Sequence, residues 1–208
     1  MPDDTVLCGR PGSADAVTVA VYRGWELEAD HGWSKKPDFI GRRLFERYIE
    51  PVRALDLHPD TKEKKNGFYI MAVSCLLIET LESFWEGWET TEPHRDNRGN
   101  RVPGRSRDAF DRFFRRQARF GVFDGSDFYK RVRCGILHQG ETTSGWKILR
   151  SGPLFDGNKT VNAVRFHNQL RSAIGDYVRE LQTSAPGSQV RINFDQKMSA
   201  VIRNCGQL

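Results

Sequence analysis

The segment that most restricts the fold of this chain runs from about Glu63 to Trp85 and has the repeat of an α-helix. Its longest apolar run, 68–78, is about half the roughly 20 residues that a membrane span requires. In its middle, apolar side chains point in nearly every direction around the helix axis; they are Phe68, Met71, Val73, Leu76, Leu77, Ile78 and Leu81. Because a helix of this kind is stable in water only when neighbours cover it, we predict the central helix of a helical bundle.

Helical and extended patterns on both sides of this segment complete the predicted fold. We expect further helices at about 37–51, 107–120, 126–140 and 165–183, the first bent or ended at Pro51 and the third ended near Gly140. Short strands at 146–150 and 161–166 are expected to pair as a hairpin, and 190–194 is expected to form an extra strand. The patch 17–22 favours a strand or short hairpin.

The length of 208 residues favours one main hydrophobic core. The expected fold class is mainly α, a helical bundle with a small β-hairpin and an irregular N-terminal extension. We expect the extension at 1–36, the helical domain at 37–183 and a C-terminal appendage at 184–208.

The start of the chain and the spacing of its cysteines restrict where it works. It opens on Met-Pro-Asp-Asp-Thr, without the basic and apolar stretches of a secretory signal. The cysteines form no CxxC pair and lie near no histidine at zinc-finger spacing; they are Cys8, Cys75, Cys134 and Cys205. We therefore expect a cytoplasmic protein with no membrane span, disulfide framework, metal or cofactor.

Most of the net charge of +5 comes from one region, 95–119, where nine arginines face three aspartates. On the predicted helix, one side is apolar and the opposite side carries Arg112, Arg115, Arg116 and Arg119. This stripe favours a surface that binds a polyanion such as RNA. The alternative is a solvated helix face, partly neutralised by Asp108 with Arg112 and Asp111 with Arg115.

Arg133 and His138 are the candidate catalytic residues. A guanidinium can offset charge that develops on a phosphoryl group, and an imidazole can transfer protons near neutral pH. Together they suit cleavage of RNA by its own 2′-hydroxyl. Lys130 and Arg131 would extend the RNA-binding surface, and Tyr129 would either donate a hydrogen bond to phosphate or hold the protein's own structure together. On an ideal helix the pair lies about 140° apart, so one cleft requires a turn at the helix end or a two-fold dimer.

Purely structural roles compete with this interpretation. An arginine can lie on a surface, and a histidine can satisfy a helix C-terminus. Cys134 is either a small core residue or the nucleophile of a Cys/His pair with His138.

The stretch Arg133-Cys-Gly-Ile-Leu-His138 resembles the signature of the HEPN superfamily, an Arg followed after four to six residues by His. The resemblance implies a dimerising helical bundle, in many members a metal-independent endoribonuclease of toxin-antitoxin, abortive-infection or phage-defence systems. Arg133 and His138 would then form a catalytic pair in a cleft at the dimer interface. Many active members have Asn, Asp or His after the Arg, where this chain has Cys134. From its spacing alone, one helical turn beyond His138, Glu141 is expected either to orient the imidazole or to be an exposed acid.

The expected partners are therefore RNA, a second copy of the chain and an antitoxin or regulatory protein. The resemblance leaves a second function open, because some members are catalytically silent. In that case the chain would be a module that binds RNA, a nucleotide or a partner protein without chemistry.

Overall fold

The computed structural model describes residues 4–57, 66–96 and 98–205. The described chain is mainly helical, with three short two-stranded sheets, so the expected α-rich fold is confirmed. The first residues of the predicted central helix, 63–65, and Asn97 of the loop after it lie outside the described residues.

The N-terminal region was predicted to be an irregular extension, and this prediction is wrong because the region contains strands and helices. Strands β1 (Val6–Cys8) and β2 (Val17–Thr18) pair antiparallel and lead into helices α1 (Val19–Leu27) and α2 (Ala29–Trp33). The patch 17–22 contributes only two residues to a strand, because the Thr18 hydroxyl accepts a hydrogen bond from the Val21 N–H and caps α1.

The first predicted helix continues beyond Pro51. It consists of α3 (Lys36–Leu44), a π-helical segment (Phe45–Ile49) and α4 (Glu50–Leu57). A proline has no N–H to donate, and the wide π turn immediately before Pro51 takes up this irregularity without ending the helix.

The remaining helices surround a central helix, α5 (Gly67–Glu86). The elements that follow α5 are, in chain order, β3 (His94–Arg95), β4 (Arg101–Val102), α6 (Ser106–Arg116), a 3₁₀ turn (Ala118–Phe120), α7 (Gly125–Phe128), a second π segment (Tyr129–Arg133), α8 (Cys134–Gln139), β5 (Lys147–Leu149), β6 (Thr160–Asn162), α9 (Ala163–Thr183) and α10 (Gln189–Asn204). Contacts with α6, α8, α9 and α10 cover most of α5, which confirms the predicted central helix. It is long and apolar enough to cross a membrane, but two-thirds of its most apolar stretch is buried, as in a soluble bundle.

Two predicted strand arrangements are wrong. The segments 147–149 and 160–162 pair in parallel, not as a hairpin. The chain between them reverses direction twice: Phe155 bridges Val161 in the antiparallel direction before the chain turns again into β6. The segment 190–194 belongs to α10, where Phe194, Met198 and Ile202 recur every four residues and are buried. Packing on the bundle outweighs the local preference of its β-branched residues for strands.

One hydrophobic core draws residues from all three predicted segments of the chain. Leu7 and Tyr22 from the N-terminal region and Phe194 from the C-terminal region are buried in the same cluster as the helices between them. The core therefore extends through both ends of the described chain.

Candidate functional site

The helix that carries Arg133 and His138 is held in place by its apolar face. Asp124 caps α7, since its carboxylate accepts a hydrogen bond of 2.7 Å from the Asp127 N–H. Phe128 is fully buried and stacks on Phe166 of α9, with ring centroids 5.3 Å apart. The helix ends at Gly140, whose φ of 70° is the left-handed conformation of a helix stop, as predicted.

Arg133 lies at the end of the second π segment and points into the protein, with 7% of its surface exposed. Its Nε donates a 2.7 Å hydrogen bond to Glu79 Oε1 of α5, and its Nη2 is 3.8 Å from Glu92 Oε1. Its guanidinium carbon is 5.5 Å from the centre of the Tyr129 ring. Burial lowers the pKa of the Arg133 guanidinium, but the hydrogen bond and charge of Glu79, together with Tyr129 and Cys134, outweigh burial and raise the pKa above its usual value.

Glu79 is a site residue that the sequence analysis missed. Its second oxygen accepts hydrogen bonds from Thr91 Oγ1 (3.0 Å) and Ser106 Oγ (3.1 Å), so the buried carboxylate is well satisfied. Glu79 thereby joins α5, the loop after it, the start of α6 and Arg133. Its acidic charge within an apolar helix was the available signal, because a buried carboxylate requires a partner.

His138 lies in the exposed last turn of α8. No hydrogen bond or ion pair joins it to another residue in the described part of the chain, and Glu141 is also exposed. Glu141 approaches α8 through its backbone, whose N–H donates to the Gly135 carbonyl at 3.3 Å. Within one chain, Arg133 faces α5 and His138 faces solvent.

Tyr129 and Cys134 interact with each other beside Arg133. Burial, and then a hydrogen bond with the Cys134 thiol, raise the pKa of the Tyr129 phenol to about 12, so it stays protonated at neutral pH. The half-buried Cys134 makes no hydrogen bond to His138 in the described structure, so a Cys/His nucleophilic pair is not assembled.

Lys130 and Arg131 line an open cleft of about 600 Å³ next to Tyr129. Arg131 is 3.6 Å from Asp127, whereas Lys130 is exposed and has no ion pair with a described residue. Because Asp124 and Asp127 also line this cleft, its charge is mixed, and its exposed cations are Arg107 and Lys130.

Three of the four arginines of the predicted RNA-binding stripe contact carboxylates of other helices. Arg112 pairs with Glu86 at 2.9 Å, and Arg116 pairs with Glu82 at 2.9 Å and with Glu86 at 2.7 Å. Arg119 pairs with Asp176 of α9 at 2.5 Å. Only Arg115 is exposed without an ion pair to a residue in the described ranges.

The stripe therefore fastens α6 to α5 and the following 3₁₀ turn to α9. The expected pairs of Asp108 with Arg112 and Asp111 with Arg115 are not among the ion pairs of the described residues. Three glutamates recur at helical spacing on α5: Glu79, Glu82 and Glu86. This acidic row was the sequence signal that could have predicted the partners of the arginines.

Within the described ranges, no three His, Cys, Asp or Glu side chains are grouped as a metal site. The sequence matches no protein-family model, and no curated protein or solved structure matches it significantly. Membership of the HEPN superfamily therefore stays a prediction from the Arg133–His138 segment.

Proposed function

We propose that this chain is a metal-independent endoribonuclease that works as a homodimer, with Arg133 and His138 as its catalytic residues. The observation that carries this function is the arrangement of α8 and the turn before it. Arg133 is fixed by Glu79 at one end, and His138 stands in the exposed final turn at the other.

The reaction needs a base to take the proton of a 2′-hydroxyl, whose oxygen then attacks the adjacent phosphorus. The bond to the 5′-oxygen breaks, and an acid returns a proton to that oxygen, leaving a 2′,3′-cyclic phosphate and a 5′-hydroxyl. His138 is accessible for either proton transfer. Arg133 offsets the charge on the phosphoryl oxygens.

The buried guanidinium keeps donors for this role. Glu79 engages Nε, which leaves the N–H groups of the two Nη atoms. The carboxylate of Glu92 lies 3.8 Å from Nη2 and its side chain is 67% exposed, so a phosphate would displace Glu92 from the guanidinium at little cost.

A two-fold dimer would bring a second α8 to this site. The contacting helices α5 and α8 expose large apolar side chains, with Tyr69 46%, Leu76 45% and Leu137 37% exposed. Exposed apolar side chains close to a candidate active site favour a contact between protein surfaces. Leu137 directly precedes His138, so the same contact would place His138 near the partner subunit.

RNA would contact Lys130 and Arg115, which are exposed, and the partly exposed Arg131, which lies 3.6 Å from Asp127. The paired arginines of α6 would stabilise the fold. We further propose a cytoplasmic location, since the spacing of the cysteines indicates no disulfide framework. From the resemblance we propose a role in a toxin-antitoxin or phage-defence system, with an antitoxin or regulatory protein as partner.

Cleavage of end-labelled RNA in EDTA tests this function. Wild-type protein and a His31→Ala control, which alters an exposed histidine of α2, should release fragments with 2′,3′-cyclic phosphate ends. His138→Ala should cut at least about 100-fold more slowly, the usual contribution of a general acid or base. Equal cleavage by His138→Ala, or no cleavage of single-stranded and structured RNA by wild type, would reject the assignment.

The dimer is tested separately by light scattering after size exclusion. Leu137→Asp should yield a monomer that does not cut RNA. Leu149→Asp, at a 49% exposed position of β5, should remain dimeric and active. A wild-type monomer that cuts RNA would refute the shared site.

The second candidate function is a catalytically silent module that binds RNA, a nucleotide or a partner protein. The pairing of Arg133 with Glu79 favours it, because this arginine is already neutralised in the single chain. Fluorescence anisotropy would then show wild type binding RNA, with affinity falling as salt rises, while the RNA stays intact at every protein concentration.

A further inference from the structure

A cavity of about 280 Å³ lies away from the α8 site, between α4, α5 and α9. Its described lining includes Val52, Ile70 and Val164, which provide an apolar surface. The polar lining residues are Arg53, His167, Asn168 and Arg171. Apolar walls with a few polar groups are typical of small-molecule sites, and this volume is near the lower end of their range.

His167 is held in one orientation. Ser74 has a single hydroxyl proton, which it donates to the Ile70 carbonyl at 2.7 Å. Its oxygen therefore accepts the 3.0 Å hydrogen bond from His167 Nδ1, which must carry a proton. The imidazole, 4% exposed, is thus fixed at the cavity wall before any ligand arrives.

The two arginines give the cavity a positive rim. Arg53 of α4 and Arg171 of α9 are both exposed, and the guanidinium of Arg171 lies 5.6 Å from the centre of the Phe45 ring. Within the described ranges neither arginine has an ion pair with a carboxylate. By contrast, Arg112 and Arg116 of α6 pair with carboxylates. The cleft at Lys130 also contains negative charge, from Asp124 and Asp127.

We propose that this cavity binds a small organic anion, with a phosphate or carboxylate held by Arg53 and Arg171 and a compact apolar group placed against Val52 and Ile70. Guanidinium groups match these anions through paired N–H donors, and the apolar wall selects against inorganic ions. This binding site is independent of RNA cleavage at His138.

Titration calorimetry with three probes tests the site. Phenyl phosphate carries both the anion and the apolar group, benzyl alcohol lacks the charge, and inorganic phosphate lacks the ring. Phenyl phosphate should bind at least about tenfold more tightly than either of the others, a difference that one additional good interaction supplies.

Variants then locate the binding. Arg53→Gln with Arg171→Gln removes charge at two exposed positions and should weaken phenyl phosphate binding about tenfold or more, with the circular dichroism spectrum unchanged. Arg179→Gln, on the same helix at a side chain that is 72% exposed, should bind as wild type does. Equal affinity of the double variant and wild type, or equal affinity for all three probes, would overturn the assignment.

Discussion

Replacing Glu79 by Gln should destabilise the fold substantially. The side chains of Glu79 and Arg133 are each 9% exposed, so the change leaves a buried guanidinium without its anion. Removing one partner of a buried ion pair typically costs about 3–5 kcal/mol. We expect about 3 kcal/mol, the lower end, because the Tyr129 ring and Glu92 still face the guanidinium. For a chain of this length, this corresponds to a fall in Tm of roughly 6–12 °C.

A double-mutant cycle isolates the pair from other effects of the substitution. Arg133→Met alone leaves Glu79 buried and unpaired, whereas Glu79→Gln combined with Arg133→Met leaves no charge in the pocket. The double variant should therefore be more stable than Arg133→Met alone, with a coupling free energy of about 2 kcal/mol or more.

Urea denaturation followed by circular dichroism measures all four proteins. A loss under about 0.5 kcal/mol in Glu79→Gln, the range of ordinary surface substitutions, would refute the buried pair. Additive effects in the double variant would refute the coupling.

Two further predictions concern a buried carboxyl and two glycines. Burial raises the pKa of Glu82 despite its bond with Arg116, so the folded state favours the protonated form, and stability is lost as pH rises through the raised pKa. The stability of Glu82→Gln relative to wild type should therefore increase from pH 4 to pH 8 in urea titrations, and a flat or falling difference would contradict this. Gly135→Ala should cost about 2–3 kcal/mol, because its Cβ would lie 2.4 Å from the Glu141 carbonyl oxygen. Gly140→Ala should cost only about 1 kcal/mol, since its positive φ is strained but the space around it is open; thermal melts that reverse this order would refute the backbone contact.

The parts of the fold that were predictable are those in which local pattern and packing agree. The apolar repeat of α5 and the end of α8 at Gly140 depend only on residues close together in the sequence. The parallel pairing of β5 with β6 depends on how the chain turns between 149 and 160, which periodicity does not encode.

For the candidate site, the sequence indicated two residues but neither Glu79 nor the contacts. Spacing identified Arg133 and His138 as a possible pair, yet the partner of Arg133 is Glu79, 54 residues earlier in the chain. The arginines of α6 and of the 3₁₀ turn after it show the same limit. Their charge was visible, but their carboxylate partners lie on α5 and α9, and only the packing of the helices brings them together.

The π segment Tyr129–Arg133 makes the two ends of this site respond differently to chain length. A π turn holds one more residue than an α turn, and here the Cys134 N–H donates to the Tyr129 carbonyl, five residues earlier. Because the π turn absorbs that residue locally, deleting the exposed Lys130 would let the helix close into regular turns and would leave Phe128 in the core and Arg133 beside Glu79. A one-residue deletion in the regular turns between Arg133 and His138 would instead rotate His138 by about 100° relative to Arg133. A related chain one residue shorter at the π segment would therefore keep the site, whereas one shorter within α8 would lose it.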